Sequence, residues 1–532
     1  MGGHESSKTK LLAVERALPI ALCVIYLMVI LYVGRLHIIG AYGTETDFYH
    51  YYAPDADRIA GGQFPSNTFN PGGYPALLVV VSQLTGDHFI SGKWISIIAS
   101  FLCALLAFYL FRRNLGYRAA ILALPILLVS GDYAEYSIQA TSDILFLALC
   151  VAAVLVFTSE KLGPRRRAAI AGAISGLAYL TRYNGVFLLI TCVAAIVVLN
   201  SFNEPLAKRL KLAALNVICF LIIASPWLYL NYKHHGSPIY NTNYLNIATE
   251  FYGYKTDQDG TRYLSSIFHS FTDVMKHNPG QFVTHYFVNL YESLWISISG
   301  RFMFMPVGLL GVAGFLLAMV KRRQKGTAVF LLSIAIYFFL MAFNHWENRY
   351  YFYLLVGYAG LACYLLVEVF DWAKQRWALA QRLAQAVLLV IAGAIFFFSA
   401  SRAYANVRAF LDDDATELIG ACEYLRRASD NGTRRIMARK PHIAYLCQAE
   451  WVFFPDVKTV EELHSALKRS PAEYLVYDRP SLKKRPELKI LGAPQNGISW
   501  LKPVYTDLAR SFVLYQVQLE NDTTLIRLAQ QE

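Results

Sequence analysis

The chain has 532 residues, of which 56% are hydrophobic and only 16% are charged, and its formal net charge is +12. Soluble domains carry about a quarter charged residues, so much of the surface is predicted to lie in lipid. The positive charge stands in runs at the edges of apolar segments, at residues 112–118, 161–167, 208–211, 321–324 and 374–377. This is the positive-inside pattern of cytoplasmic loops. Because no basic, aromatic-interleaved soluble patch is present, the composition argues against a nucleic-acid partner.

About eleven apolar segments are long enough to cross a bilayer, alone or sheltered by neighbours. They are residues 17–36, 91–111, 118–131, 142–158, 168–181, 185–200, 211–230, 302–320, 327–343, 351–370 and 383–400. The first is interpreted as a retained span and not as a signal peptide, because no small-residue cleavage site follows it. With the N-terminus in the cytoplasm, every basic run falls on the cytoplasmic side. The sequence thus predicts a multi-pass protein of the plasma (inner) membrane.

The same predicted topology divides the chain into a transmembrane module, residues 1–401, and a soluble extracytoplasmic α/β domain, residues 402–532. The module's long outer segments are residues 37–90, 132–141 and 231–300. The tail has ordinary charge and alternates amphipathic helical patterns with short strand patterns. It contains Cys422 and Cys447. An oxidising compartment would permit a disulfide there, although Cys422 could equally be a buried apolar residue.

Two acids at the predicted outer face are candidates for chemistry, because charges at a membrane are costly. Asp47 follows the first span among tyrosines that are predicted to form an interfacial belt, and its alternative role is that of a solvated loop acid. The stretch PDADRIA after it is predicted to be an amphipathic helix, with turns at GGQFP and NPGGYP. Asp143 opens the fourth span, where it could instead cap the helix N-terminus.

Three basic residues lie on the predicted outer side, against the positive-inside trend. Lys93 opens the second span, Arg182 interrupts the apolar run between the fifth and sixth spans, and Arg349 precedes the tenth. Each by itself could be an anchor that extends to the interface. Together with the two acids, they predict an outward site for a phosphate or pyrophosphate group.

The order of these motifs resembles the GT-C glycosyltransferases of the protein O-mannosyltransferase and lipid A aminoarabinose transferase type. The resemblance covers most of residues 10–370 and rests on an acid after the first span, GGQFP, NPGGYP, a lysine opening the second span, ATSDILFLALC, GLAYLTRYNG, SPWLYLNYKHHGSPIY and ENRYY. It implies a GT-C fold and transfer of a sugar from a polyprenyl-phosphate carrier, with inversion, at the extracytoplasmic face. The acceptor would be a hydroxyl or phosphate on lipid, glycan or protein, in the cell envelope.

The resemblance also implies roles for individual residues. Asp47 matches the family's catalytic acid of the first loop, and Asp143 matches the acid that opens the fourth span. Lys93, Arg182 and Arg349 match contacts to the donor phosphate or sugar. A sixth residue, Glu347, is near enough in sequence to order the last arginine or to touch the sugar.

The sequence departs from the resemblance at one point. Protein O-mannosyltransferases have an adjacent Asp-Glu pair in the first loop, whereas here Thr46 separates Glu45 from Asp47, so mannosyl transfer to protein is not implied. No nucleotide-binding Gly-rich loop is present, and no cofactor is predicted. The acids are too dispersed to define a metal site, which leaves the participation of a divalent cation open. The competing hypothesis is a flippase or transporter of a lipid-linked sugar, which would more often show internal repeats.

Overall fold

A computed structural model of the chain describes residues 2–66, 68–253, 258–321, 324–376, 381–428 and 434–519. The chain divides into two compact units. The first unit, called the membrane unit below, comprises Met1–His37, Asp55–Tyr252 and Ser270–Asp412. The second unit, called the sheet unit, comprises Ile38–Pro54, Gly253–His269 and Asp413–Glu532.

The membrane unit consists of helices. Five are long and apolar enough to cross a membrane: Glu15–Leu36, His88–Asn114, Leu206–His235, Asn348–Arg376 and Gln385–Asp412. Shorter apolar helices are Gly73–Thr85, Tyr117–Leu128, Asp143–Phe157, Tyr183–Val197, Met305–Lys321 and Lys325–Met341. The helix Pro164–Thr181 begins with three consecutive arginines after its proline. Every predicted span coincides with one of these helices, so the polytopic helical class is confirmed. The number of about eleven spans stays a prediction, since length alone assigns five.

Small residues bring neighbouring helices into close contact. A Cβ atom on Gly172 would lie 2.3 Å from the carbonyl oxygen of Asn216, and one on Gly314 would lie 2.1 Å from that of Leu361. Neither position can hold a side chain unless the helices move apart. Between apolar helices in lipid, such close backbone approach supplies packing that the hydrophobic effect does not provide.

The two ends of the helix bundle differ in charge. At one end, called the basic end, Arg113 donates to the carbonyl of Leu155 at 2.6 Å, and Arg167 donates to that of Phe157 at 2.6 Å. Three of the basic runs and the described part of a fourth lie at helix termini on this end: residues 112–118, 161–167, 208–211 and 374–376. The opposite end is where the helix His88–Asn114 starts and the helix Pro164–Thr181 finishes.

The segments predicted to lie outside contain helices of their own. The first includes the π-helix Phe48–Tyr52 and the α-helices Ala53–Ala60 and Gly73–Thr85. The others include Gly131–Tyr136, Asn243–Tyr252, Gln258–Ile267, Phe271–His277 and Pro279–Ile298. The predicted PDADRIA helix is present as Ala53–Ala60. The chain then turns back, because the carboxylate of Asp55 accepts from the backbone nitrogen of Ser66 at 2.8 Å.

The sheet unit has a mixed five-stranded sheet in the order β2-β1-β3-β5-β4. The strands are β1 (Arg435–Ala438), β2 (Glu450–Phe453), β3 (Tyr474–Tyr477), β4 (Leu501–Asp507) and β5 (Phe512–Val517). β1 pairs in parallel with β2 and β3, whereas β5 pairs antiparallel with β3 and β4. The helices of its C-terminal part are Glu417–Arg427, His442–Leu446, Val460–Lys468 and Arg479–Lys484, with 3₁₀ turns Pro486–Gly492 and Leu508–Arg510. The predicted C-terminal α/β domain is therefore present.

The limits of the sheet unit differ from the predicted boundary at residue 401. The last membrane-unit helix, Gln381–Asp412, runs past that point without a break. In addition, residues 38–54 cluster with the C-terminal part of the chain. The prediction that the tyrosines near Asp47 form an interfacial belt is wrong for three of them, because Tyr42, Tyr49 and Tyr52 are buried. The segment contributes Ile39 and Tyr42 to the hydrophobic core around the helix Glu417–Arg427.

Cys422 and Cys447 form a disulfide within the sheet unit. Of the two alternatives left open by the sequence, the disulfide is therefore the one the structure contains. The other six cysteines are free and lie in the membrane unit: Cys23, Cys103, Cys150, Cys192, Cys219 and Cys363.

Candidate functional site

Asp143 and Arg182 form an ion pair at the end of the membrane unit opposite the basic end. Asp143 is the first residue of the helix Asp143–Phe157. Arg182 has an extended backbone that interrupts the helical path after Thr181. Its Nη1 donates to Oδ1 of Asp143, and it lies 3.5 Å from Oγ of Ser142. The two side chains are only 2% and 12% exposed. Asp143 is therefore the counter-ion of a nearly enclosed guanidinium, beyond any effect it has on its own helix N-terminus.

A second acid–base pair lies in the turn before the helix Phe352–Arg376. Glu347 has an extended backbone and is followed by the 3₁₀ turn Asn348–Tyr351. Nε of Arg349 donates to Oε2 of Glu347 at 2.9 Å. The contact is compatible with an ordering role for Glu347, which stays a prediction beside that of touching the sugar. The arginine side chain is largely buried, and the glutamate is half-buried.

Tyr350 joins these two pairs. Its ring centroid is 5.5 Å from Cζ of Arg182 and 5.2 Å from Cζ of Arg349. An aromatic ring attracts a cation at such distances by about 0.5–2 kcal/mol, depending on desolvation. We call this group the two-arginine cluster. It consists of Asp143, Arg182, Glu347, Arg349 and Tyr350. Four of the six predicted site residues therefore meet in one place, together with a tyrosine that the sequence reading did not single out.

Asp132 supports the cluster from the neighbouring helix Gly131–Tyr136. Its Oδ2 accepts from Nδ2 of Asn348 at 3.0 Å, and Oδ1 of that asparagine accepts from Nε1 of Trp346 at 2.8 Å. Asp132 is buried, which raises its pKa to about 6, while the asparagine hydrogen bond and the charge of Arg402 act in the opposite direction. No local signal marks this acid, because its partner lies 216 residues away in sequence.

Lys93 lies beside the C-terminal end of the first helix. Its Nζ donates to the carbonyl oxygens of Gly34 at 3.2 Å and His37 at 2.5 Å. These carbonyls lie at the C-terminal end of the first helix, where a cation is favourable. The preceding residue of the same helix, Gly92, packs on Ala140. Lys93 thus stands at the same end of the bundle as the two-arginine cluster, in a position that fixes the first helix.

Asp47 lies in the sheet unit, at the start of the π-helix Phe48–Tyr52, and its side chain is half-buried. The preceding residue, Thr46, accepts a hydrogen bond through Oγ1 from Nζ of Lys440 at 3.0 Å. Burial lowers the pKa of nearby His50 to about 4; the charge of Asp47 opposes this shift and that of Lys440 adds to it. The roles of catalytic acid and of loop acid both stay predictions for Asp47.

Within the described residues, no group of three or more His, Cys, Asp and Glu side chains could hold a metal ion. The carboxylate of Asp143 is paired with a guanidinium, a neighbour that disfavours a bound cation. The donor set of the two-arginine cluster therefore does not fit a divalent metal.

One family model matches part of the chain. The model of the dolichyl-phosphate-mannose-protein mannosyltransferase family matches residues 70–230, a stretch that includes Lys93, Asp143 and Arg182. No sequence among the curated proteins matches the chain.

Solved structures match most of the chain. ArnT from Cupriavidus metallidurans, bound to undecaprenyl phosphate, is 15% identical, with a TM-score of 0.54 over 93% of this chain and 98% of that one. AglB from Archaeoglobus fulgidus, an oligosaccharyltransferase in complex with an inhibitory peptide and a dolichol-phosphate, is 14% identical, with a TM-score of 0.58 over 88% of this chain and 71% of that one. The chain therefore shares the fold of these solved structures, the GT-C fold that the sequence resemblance implies.

Proposed function

We propose that this protein transfers a sugar from a polyprenyl-phosphate carrier to an acceptor hydroxyl or phosphate at the extracytoplasmic face of the membrane. The GT-C fold and the family match over residues 70–230 support the reaction class. The observation that carries the proposal is the two-arginine cluster, which concentrates two guanidinium groups around one aromatic ring at one end of the bundle.

Two guanidinium groups suit the change in charge during this reaction. A sugar bound to a lipid phosphate is a phosphodiester with a single negative charge. When the sugar leaves, the lipid monophosphate approaches a charge of −2 at neutral pH, because its second pKa is about 6. Arg182 and Arg349 would therefore stabilise the departing phosphate more strongly than the bound donor, which lowers the barrier instead of only tightening binding.

The carboxylates of the cluster keep the arginines in place. Before the donor binds, Asp143 and Glu347 balance the two guanidinium charges. Arg has further N–H donors beyond the ones used in these contacts and can grip a phosphate with two parallel hydrogen bonds. We assign Asp143 to holding Arg182, and Glu347 to holding Arg349 or contacting the sugar.

The bond changes balance without a metal or cofactor. The acceptor oxygen bonds to the anomeric carbon as the bond between that carbon and the phosphate oxygen breaks, and the electron pair stays on the phosphate. The acceptor proton goes to a carboxylate, a role that we assign to Asp47 on the sequence resemblance. A single displacement of this kind inverts the anomeric configuration.

The extracytoplasmic assignment has two supports. The basic runs gather at the end of the membrane unit opposite the two-arginine cluster, which places them in the cytoplasm by the positive-inside rule. The disulfide of the sheet unit suits an oxidising compartment. The N-terminus is then cytoplasmic and the sheet unit extracytoplasmic.

Transfer of label separates the two candidate functions. The purified protein in vesicles is incubated with a radiolabelled polyprenyl-phosphate sugar and membrane extract as the source of acceptors. We expect label to move to an acceptor, with release of polyprenyl phosphate in equal amount. If the protein moves the donor between leaflets but transfers no label from any carrier, the flippase hypothesis replaces this proposal.

A further inference from the structure

The segment of residues 38–54 is built into the sheet unit, although it stands next to the first helix in sequence. We propose that the C-terminal part of the sheet unit is a scaffold that fixes this segment and thereby positions Asp47 for transfer. The inference rests on the proposed function, because the scaffold would hold the acid that we propose as the general base. Four sets of contacts within the sheet unit support it.

The start of the segment is fixed through its backbone. Ala41 forms an isolated antiparallel bridge with Asp414. Its carbonyl oxygen lies 3.0 Å from Nε2 of His442, and its nitrogen donates to Oε2 of Glu45 at 2.9 Å. His442 is fully buried, which lowers its pKa to about 3. The imidazole is therefore neutral at physiological pH, and its Nε2–H donates to the carbonyl.

Tyr42 makes the second contact. Its hydroxyl donates to Oε1 of Glu417 at 2.9 Å, and both side chains are buried. Arg479 lies 3.8 Å from the same carboxylate oxygen and 5.7 Å from the tyrosine ring centroid. The hydrogen bond joins residues that are 375 apart in sequence.

The residues on both sides of Asp47 are also held. Before it, Thr46 accepts from Lys440 at 3.0 Å. After it, the ring of His50 lies edge-on to that of Trp451, with centroids 4.8 Å apart. With its two neighbouring stretches fixed in this way, the backbone at Asp47 has little freedom.

The disulfide braces this scaffold. Cys422 lies in the helix that begins with Glu417, and Cys447 directly follows the helix that begins with His442. These are the two helices that contact Tyr42 and the Ala41 carbonyl. The disulfide therefore links the two helices of the scaffold that contact residues 38–54.

Such a scaffold matters because catalysis is sensitive to small displacements. A general base must lie within hydrogen-bond reach of the proton that it accepts, and misplacement by about 1 Å can reduce a rate by about 10²-fold. Loosening of the segment should therefore lower kcat, while leaving the KM for the lipid donor unchanged.

The experiment compares two variants of the full-length protein in nanodiscs. Tyr42→Phe removes one hydrogen bond and retains the ring, and Lys440→Met removes the donor to Thr46. The matched control is Arg435→Gln, since Arg435 pairs with Glu473 at 3.0 Å on the partly exposed surface of the sheet. Transfer kinetics and hydrogen exchange of the peptide covering residues 38–54 are measured for each.

We expect both variants to lower kcat by about tenfold or more, to leave the donor KM within about twofold, and to speed exchange in residues 38–54. Lys440→Arg should restore most of the rate, and Arg435→Gln should match wild type. Faster exchange without a change in kcat, or unchanged exchange, would overturn the inference. An inactive wild-type protein would instead contradict the proposed function, and the positioning role would fall with it.

Discussion

The Arg182 guanidinium is paired with the carboxylate of Asp143 in a setting where neither side chain has much access to solvent. Desolvation of two charges costs several kcal/mol per ion, and their mutual attraction offsets it only with good geometry. An enclosed ion pair is therefore weak evidence of a contribution to stability. The same guanidinium also faces Tyr350, next to a second arginine, an arrangement that an ion pair serving stability alone does not require.

A double-substitution experiment separates the structural role of this pair from its role in transfer. Arg182→Gln leaves the carboxylate of Asp143 buried without its counter-charge, which should cost about 3–5 kcal/mol of stability. The double variant Asp143→Asn/Arg182→Gln has no buried charge and should recover most of the melting temperature. Transfer should remain low in both, because the phosphate loses one guanidinium. Recovery of transfer together with stability would show that the pair is only structural.

Asp132 should make stability depend on pH. Burial raises its pKa to about 6, from an ordinary value of 3.8. The folded state therefore binds the proton more tightly than the unfolded state, and stability falls as the pH rises from about 4 to about 6. The Asp132→Asn variant lacks this loss and can still accept from Asn348. Melting curves of both proteins should coincide at pH 4 and diverge up to pH 6, with the variant more stable; a difference independent of pH would contradict the assignment.

The Cys422–Cys447 disulfide should stabilise the sheet unit. Closing a loop with a sequence separation of 25 contributes about 2–4 kcal/mol in the chain-entropy account. We expect a reductant to lower the melting temperature of the wild-type protein and to leave that of Cys422→Ser/Cys447→Ser unchanged, since the other six cysteines are free. A reductant effect of equal size in the double variant would exclude this disulfide as the cause.

Asp47→Asn tests the assigned base. The substitution preserves size and removes the basic carboxylate, so transfer should fall by about 10²-fold or more while binding of the labelled donor persists. Glu45→Gln serves as a comparison, because its carboxylate accepts from the backbone of Ala41 within the same segment. It should weaken transfer less than Asp47→Asn does. Unchanged turnover in Asp47→Asn would exclude this residue as the base.

The helical fold and the common face of three cluster residues could be predicted from the sequence, because the bilayer constrains both. Bilayer thickness fixes the length of apolar segments, and the charge rule fixes which ends share a side. Together, these two constraints predicted that Asp143, Arg182 and Arg349 share one face, and the structure places them in one cluster.

Pairings between distant residues could not be predicted in this way. In the sequence, Asp132 has no feature that distinguishes it from other polar residues, and only the structure shows its hydrogen bond with Asn348. Likewise, the tyrosines near Asp47 have the composition of an interfacial belt, and only the contact with Glu417 shows that Tyr42 belongs to the core of the sheet unit. Lys93 matched the expected pattern of cations, yet its neighbours are helix-end carbonyls. A single sequence contains no information on which of several compatible partners a side chain contacts.

The most direct test of the account is the transfer rate of Arg182→Gln, Arg349→Gln and their double variant, measured as label moved and polyprenyl phosphate released. Arg118→Gln is the matched control, because Arg118 also pairs with an aspartate, Asp371, at 2.8 Å, but with both side chains nearly half exposed. If the two-arginine cluster stabilises the departing phosphate, each single variant should lose about 10²-fold or more in kcat, and the control should retain the wild-type rate. Transfer at the wild-type rate by the double variant would contradict the account.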